Sequence, residues 1–134
     1  MIGHLGINLS NEETSFPFWQ DLLAYLGFII LPDGNHFDAT DGRSYLCVSV
    51  TKPEYQQPAF HRRRIGMNHI AFQVPSAEAV ERFVAEYLVP RDIEPLYGGA
   101  KEYPKYAEGY FAVYFEDPDR IKIEVAYDPT TSVL

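Results

Sequence analysis

Residues 69–76 read HIAFQVPS, and residues 4–11 read HLGINLSN. Both stretches begin with histidine, His69 and His4. Apolar residues then come at alternate positions, Ile70, Phe72 and Val74 in one and Leu5, Ile7 and Leu9 in the other. A period of two marks a strand with one buried face. Each stretch ends in small polar residues suited to a helix start.

Beyond each stretch the pattern turns helical. Val80, Phe83, Val84, Tyr87 and Leu88 recur at i, i+3, i+4, i+7 and i+8. Ser76 is the expected N-cap there, with Glu78 in the first turn. Trp19, Leu22, Leu23 and Leu26 make the same stripe earlier in the chain, with Ser15 as expected cap, Pro17 in the first turn and Gly27 as the stop. Shorter strands are expected next, at 28–31, 37–40 and 44–50 in the first half and at 93–97, 110–116 and 120–127 in the second. Turn residues separate them: Pro32-Asp33-Gly34-Asn35, Asp41-Gly42, Gly98-Gly99 and Asp117-Pro118-Asp119. The chain therefore reads as βαβββ written twice, an α+β fold in a single domain. Module one covers about 1–51, a linker rich in Pro and Gln about 52–64, and module two about 65–128.

The bulk properties agree with a folded domain and exclude several function classes. A chain of 134 residues that is 46% apolar is one domain with ample core. The net charge of −8 argues against nucleic acid and anionic membrane as partners. The basic run His61-Arg62-Arg63-Arg64 is too short to change this and reads as a solvated loop. One cysteine, Cys47, rules out an intrachain disulfide. No apolar run is long enough to span a bilayer, and MIGHLGINLS lacks the form of a signal peptide, so a cytoplasmic protein is expected.

Alternation assigns side chains to faces. In the last strand Ile121, Ile123 and Val125 take the helix side, leaving Lys122, Glu124 and Ala126 opposite. In the strand before it Phe111, Val113 and Phe115 take the helix side, leaving Tyr110, Ala112 and Tyr114. The opposite faces elsewhere hold His4, Gly6 and Asn8, then His69, Ala71 and Gln73, and Tyr45, Cys47 and Ser49. His4 and His69 occupy the same position of two repeated units, and a pseudo-twofold pairing of those units brings them together. Two imidazoles and one carboxylate, Glu124, are a recognised set for a divalent metal, and three protein ligands leave positions open. His36 and His61 fall in turn-like stretches and read as surface residues.

The opening strands with His4 and His69 (the latter in GMNHIAFQV) and the closing FEDPDRIKIEV with Glu124 resemble the vicinal oxygen chelate superfamily. That group contains glyoxalase I, methylmalonyl-CoA epimerase, extradiol dioxygenases, fosfomycin-resistance thiol transferases and bleomycin-resistance proteins. The resemblance covers essentially the whole chain. It implies two βαβββ modules forming an open, U-shaped mixed sheet around a metal, with helices outside, the modules pairing within one chain or across a dimer. It also implies His4, His69 and Glu124 as metal ligands. Aligning the two final strands through Arg43 and Arg120 sets Cys47 at the fourth ligand position, where the family's isomerases usually carry Glu, Gln or His. Cys47 is then a fourth ligand or a small pocket lining, and the usual isomerase base is missing.

The expected cofactor is one divalent ion, Mn, Fe, Ni, Co or Zn. The expected substrate pocket is Tyr45, Cys47, Tyr110 and Tyr114, with the tyrosine-rich segment KEYPKYAEGY (101–110) as a loop able to close over a ligand. The activity implied is that of a glyoxalase-like enzyme on a small oxygen-bearing substrate, of lyase, isomerase or thiol-transfer type, using Lewis-acid stabilisation of an oxyanion or enolate. The alternatives are a drug-sequestering binding protein of the bleomycin-resistance type, without catalysis, and an extradiol dioxygenase. The partners expected are a small-molecule substrate and a second copy of the chain as a homodimer, with neither nucleic acid nor membrane.

Overall fold

The computed structural model of the protein describes residues 2–131. It divides into two compact units. The first takes in the chain up to Phe60 together with Asp117–Asp119, and the second runs from His61 to Glu116 and onward from Arg120. Each unit is a four-stranded mixed sheet with one helix, so the two-module α+β fold expected from the repeat is what the chain adopts. No helix among the described residues is long and apolar enough to cross a membrane.

The first unit contains β1 (His4–Leu9), α1 (Ser15–Tyr25), β2 (Ile29–Asp33), β3 (His36–Thr40) and β4 (Tyr45–Val50), in sheet order β1-β4-β3-β2. β1 runs parallel to β4, and the other pairs are antiparallel. Most of the stripe expected on α1 is buried: Trp19, Leu22 and Leu23 are fully buried and Leu26 half-buried, and Ile7, Leu9 and Val48 of the sheet are buried as well. Ser15 does not cap this helix. It begins the helix as a buried residue, and the Asn11 side chain does the capping, its Oδ1 accepting from the amides of Glu13, Thr14 and Ser15 at 3.1, 2.7 and 3.3 Å. The Asp117–Asp119 turn is tied to the same unit. Trp19 Nε1 donates to Asp117 Oδ2 at 2.8 Å in a buried bond, and the Ser10 amide and hydroxyl both donate to the Asp119 carboxylate.

The second unit contains β5 (Ile70–Gln73), α2 (Ala77–Phe83), β6 (Lys101–Glu102), β7 (Phe111–Glu116) and β8 (Lys122–Tyr127), in order β5-β8-β7-β6. Ser76 caps α2 as expected, its hydroxyl accepting from the Ala79 amide at 3.1 Å. The helix runs on through a wider turn, Val84–Leu88, and a tight one, Val89–Arg91, so that Val80, Phe83, Tyr87 and Leu88 all reach the core. Phe83 stacks on Tyr87 at 5.0 Å and packs on Phe115 at 5.5 Å. Burying such side chains stabilises by about 1.5–3 kcal/mol each.

One expected strand is absent. Residues 93–97 alternate like a strand but lie between Asp92 and Tyr97, both in left-handed backbone (φ 53° and 57°), with Gly98 and Gly99 continuing at positive φ. Such a path cannot hold a ladder. Among the described residues one backbone bond joins this stretch to β7, from the Leu96 amide to the Tyr114 carbonyl at 2.7 Å, and ladder pairing with β7 comes only at Lys101–Glu102.

Candidate functional site

Glu124 sits in the middle of β8 between Ile123 and Val125. Those two are fully buried on the helix side, and Glu124 points the other way, as alternation requires. It is nevertheless only 2% exposed. A buried carboxylate is costly unless its oxygens are satisfied. Tyr110 Oη donates to Glu124 Oε1 at 2.6 Å, and His69 Nε2 lies 3.1 Å from Oε2. Tyr114, the cross-strand partner of Glu124 on β7, presents its phenol to the same carboxylate. Burial first, and then the hydrogen bond to Glu124, push both the Tyr110 and Tyr114 hydroxyls well above the ordinary tyrosine range. Both therefore stay protonated and act as donors.

His69 is fixed from its other side. Its Nδ1 lies 2.8 Å from the side-chain amide of Asn68, which orients the ring. Nε2 then faces a carboxylate oxygen at 3.1 Å, and with the ring proton on Nδ1 its lone pair and that oxygen make two donors for a cation. Two donors each about 2.1 Å from one metal ion and at right angles to each other lie about 3 Å apart, so the pair fits as adjacent ligands. Glu124 and His69 thus suit a divalent ion in donor type and in spacing.

The tyrosine-rich segment closes this side of the second sheet. Tyr103 packs edge-on against Tyr114 at 5.5 Å, as does Tyr97 at 5.5 Å, while Tyr106 stacks on Tyr103 at 5.6 Å and meets Tyr110 at 5.3 Å. The Tyr103 amide donates to the Tyr110 carbonyl at 2.9 Å, drawing the segment into a closed turn. Ala112, Tyr114 and Ala126 are buried beneath it. The Tyr103 hydroxyl is buried without a hydrogen-bond partner among the described residues, and burial, ahead of the nearby phenol of Tyr106, raises it. Lys122 Nζ hangs over the Tyr114 and Tyr97 rings at 5.4 and 5.6 Å.

The matching face of the first unit is open. His4 is exposed and stacks on Tyr45 at 4.7 Å. Gly6 pairs with Cys47 as Ala71 pairs with Glu124, so Cys47 does occupy the Glu124 position of its own sheet. Cys47 is half-buried. Burial, then a hydrogen bond to the cross-strand neighbour Asp38, raises its thiol. His36 is not in the turn where the sequence placed it. It opens β3, with Nδ1 2.8 Å from Ser49 Oγ and Nε2 3.2 Å from Asp38 Oδ1. His61 is exposed and accepts from the Arg63 amide at 3.1 Å, a turn residue as read.

Of the residues singled out from the sequence, His69, Glu124, Tyr110 and Tyr114 come together in the second unit. His4, Tyr45 and Cys47 share one face of the first. Among the described residues no three His, Cys, Asp or Glu side chains already gather as a metal-holding group. Sequence reasoning missed Asn68, Tyr103 and Asp38. Asn68 adjoins His69 in GMNHIAFQV and was legible as its orienting partner, whereas nothing in the sequence marks Tyr103 among its neighbouring tyrosines.

With a histidine leading into the first strand of each βαβββ unit and a carboxylate in the last strand of the second, the chain belongs to the vicinal oxygen chelate superfamily. The solved structure of a Bacillus halodurans protein provisionally described as a glyoxalase is 34% identical, with a TM-score of 0.80 over 96% of both chains. A glyoxalase family protein from Enterococcus faecalis is 25% identical, with a TM-score of 0.67 over 94% of this chain and 96% of that one. The uncharacterized Bacillus subtilis protein YqjT is 31% identical over 129 residues, spanning 91% of this chain and 94% of its own length. No family model matches the chain.

Proposed function

We propose that the protein is a metal-dependent, glyoxalase-type enzyme acting on a small oxygen-bearing substrate. In this reading His69 and Glu124 hold one divalent ion, and His4 is the third ligand. The observation that carries it is the His69 Nε2–Glu124 Oε2 contact at 3.1 Å, with the ring oriented from its other nitrogen by Asn68. Bound there, a divalent ion supplies Lewis acidity toward negative charge developing on a substrate oxygen.

The chain's own groups do the rest. Glu124 is held in one orientation by Tyr110 and Tyr114. Their phenols keep their protons, and each spends its single O–H on Glu124. The buried Tyr103 hydroxyl, with no partner among the described residues, is a further donor for a substrate oxygen. The rings of Tyr97, Tyr103 and Tyr106 exclude water from the carboxylate. Cys47 in place of the carboxylate leaves the first sheet without a base at that position, which favours addition of a nucleophile over proton shuttling on carbon.

The test is turnover after loading with each divalent ion. The substrates are 2-oxoaldehyde–thiol adducts, epoxide phosphonates with thiols, and catechols with dioxygen. Turnover of one class should vanish on dialysis against chelator and fall at least tenfold in His69→Ala. Turnover unaffected by chelator would overturn the reading.

A further inference from the structure

Lys122 shares the face of β8 with Glu124, two residues along the strand, while Ile121 and Ile123 are buried on the helix side. That spacing is about 6.5 Å. The cross-strand neighbour of Lys122 on β7 is Glu116, the natural partner for its charge. Glu116 is already taken: Arg62 Nη1 and Arg120 Nε reach its Oε2 at 2.7 and 3.3 Å. Lys122 makes no ion pair among the described residues. In a chain with 19 acidic and 11 basic side chains, a half-buried lysine without a carboxylate of its own is out of pattern.

What Lys122 does meet is Tyr97 and Tyr114. Its Nζ lies over both rings and donates to Tyr97 Oη at 3.5 Å. Accepting that bond leaves the Tyr97 O–H free to donate, and none of the described residues accepts from it. Tyr97 is held in place against its backbone preference. Its φ is 57°, left-handed backbone that a bulky residue seldom adopts, and Lys101 Nζ fastens its carbonyl at 2.8 Å. The ring is thereby set edge-on against Tyr114, with the residue 51% exposed. An ammonium and a phenol, 3.5 Å apart and both with protons left to donate, thus stand next to the row of Glu124 and Tyr114. One positive charge and two donors match a monoanion with two acceptor oxygens.

We infer that Lys122 and Tyr97 bind a carboxylate of the substrate, so that the site around Glu124 selects small oxo or hydroxy acids over neutral carbonyl compounds. That the bound acid is a substrate rests on the metal-site reading of His69 and Glu124. The preference of Lys122 and Tyr97 for a carboxylate needs no metal.

The experiment is a chemical-shift titration of isotope-labelled full-length protein at low ionic strength, once in EDTA and once after loading with Zn. The probes are 4-oxopentanoate, the uncharged 4-oxopentanamide on the same skeleton, and 3-oxobutylphosphonate. In EDTA, 4-oxopentanoate should shift the Tyr97 and Lys122 amides saturably with a Kd of about 1–10 mM, the range for a ligand of about eight heavy atoms. The amide should bind at least about fivefold more weakly, and the phosphonate no more tightly than the acid. Lys122→Met keeps an unbranched side chain over the rings and should bring acid and amide to within about twofold of each other. Tyr97→Phe should lower the preference about threefold, and it carries the test if Lys122→Met does not fold. Arg82→Gln, which removes an exposed positive charge from α2, should leave the preference in place. Zn loading should strengthen binding of both carbonyl probes and keep their ratio. A preference present in EDTA with no response to Zn would count against the metal-site reading and leave the carboxylate preference standing. Equal binding of acid and amide, a preference unaltered in both Lys122→Met and Tyr97→Phe, tighter binding of the phosphonate, or no saturable shift at Tyr97 and Lys122 overturns the inference.

Discussion

Removing one oxygen from Tyr110 isolates the interaction that keeps Glu124 buried. Tyr110→Phe preserves the ring and its contact with Tyr106, and deletes only the hydroxyl that donates to Glu124 Oε1 at 2.6 Å. Hydrogen bonds to charged groups contribute about 1.5–3 kcal/mol. Tyr110 is itself half-buried, so the lower end applies, about 1.5 kcal/mol. For a chain of this length the unfolding entropy near 60 °C is about 0.28 kcal/mol/K, which converts that loss to a Tm decrease of about 5 °C. Urea unfolding with metal-free protein should show a lower midpoint at unchanged slope. Glu124→Gln alone loses part of the same bond, and the double variant should cost less than the sum, with a coupling of about 1 kcal/mol. A Tyr110→Phe midpoint within about 0.3 kcal/mol of wild type, or additive single variants, would refute the view that this phenol sustains the buried carboxylate.

Three further outcomes rest on the same geometry. Tyr103, Tyr110 and Tyr114 have folded-state acidities weaker than the ordinary tyrosine value of 10.0, so their contribution to stability is complete below about pH 10 and is lost as pH rises beyond it. Absorbance titration near 295 nm should therefore leave at least three of the ten tyrosines protonated above pH 10 until alkaline unfolding releases them, and ten tyrosines ionising together near pH 10 would contradict this. Asp117→Ala strands the buried indole N–H of Trp19 and should cost about 2 kcal/mol with a changed emission from the chain's one tryptophan, whereas an unaltered spectrum and midpoint would show the bond to be idle. Ser76→Ala should cost about 1 kcal/mol through the lost cap of α2, read as a shift of the urea midpoint, and Ser15→Ala should show no cap effect because Asn11 does that work.

Much of this fold is written in short-range pattern. The shared histidine and period-two alternation of the opening strands located β1 and β5, and the 3.6-residue stripes located both helices, because each depends on which side of one element meets a core. The equivalence of Cys47 and Glu124 was also legible, since two closing strands built on the same turn-and-strand pattern keep the same register. Residues 93–97 misled because alternation reports side-chain chemistry and says nothing of left-handed backbone at Asp92 and Tyr97. His36 misled for a related reason: it adjoins Gly34-Asn35, and only pairing with Ser49 shows that β3 has already begun. At the site, the direction of Glu124 could be read, but its burial could not. Around it Tyr103 and Tyr110, upstream in sequence, pack over Ala112, Tyr114 and Ala126, and Tyr110 bonds Glu124 itself, a tertiary event with no periodic signature.

The central claim is that the 3.1 Å His69–Glu124 pair is built around a cation. The direct measurement is metal content per chain in protein purified without chelator and then titrated with Mn, Fe, Ni, Co and Zn. The account predicts close to one equivalent of a divalent ion in the wild-type protein, at least a tenfold loss of affinity in Glu124→Gln, and a fall in Tm on chelation. Less than about a tenth of an equivalent as purified, with no uptake on titration and no difference in Glu124→Gln, would contradict it.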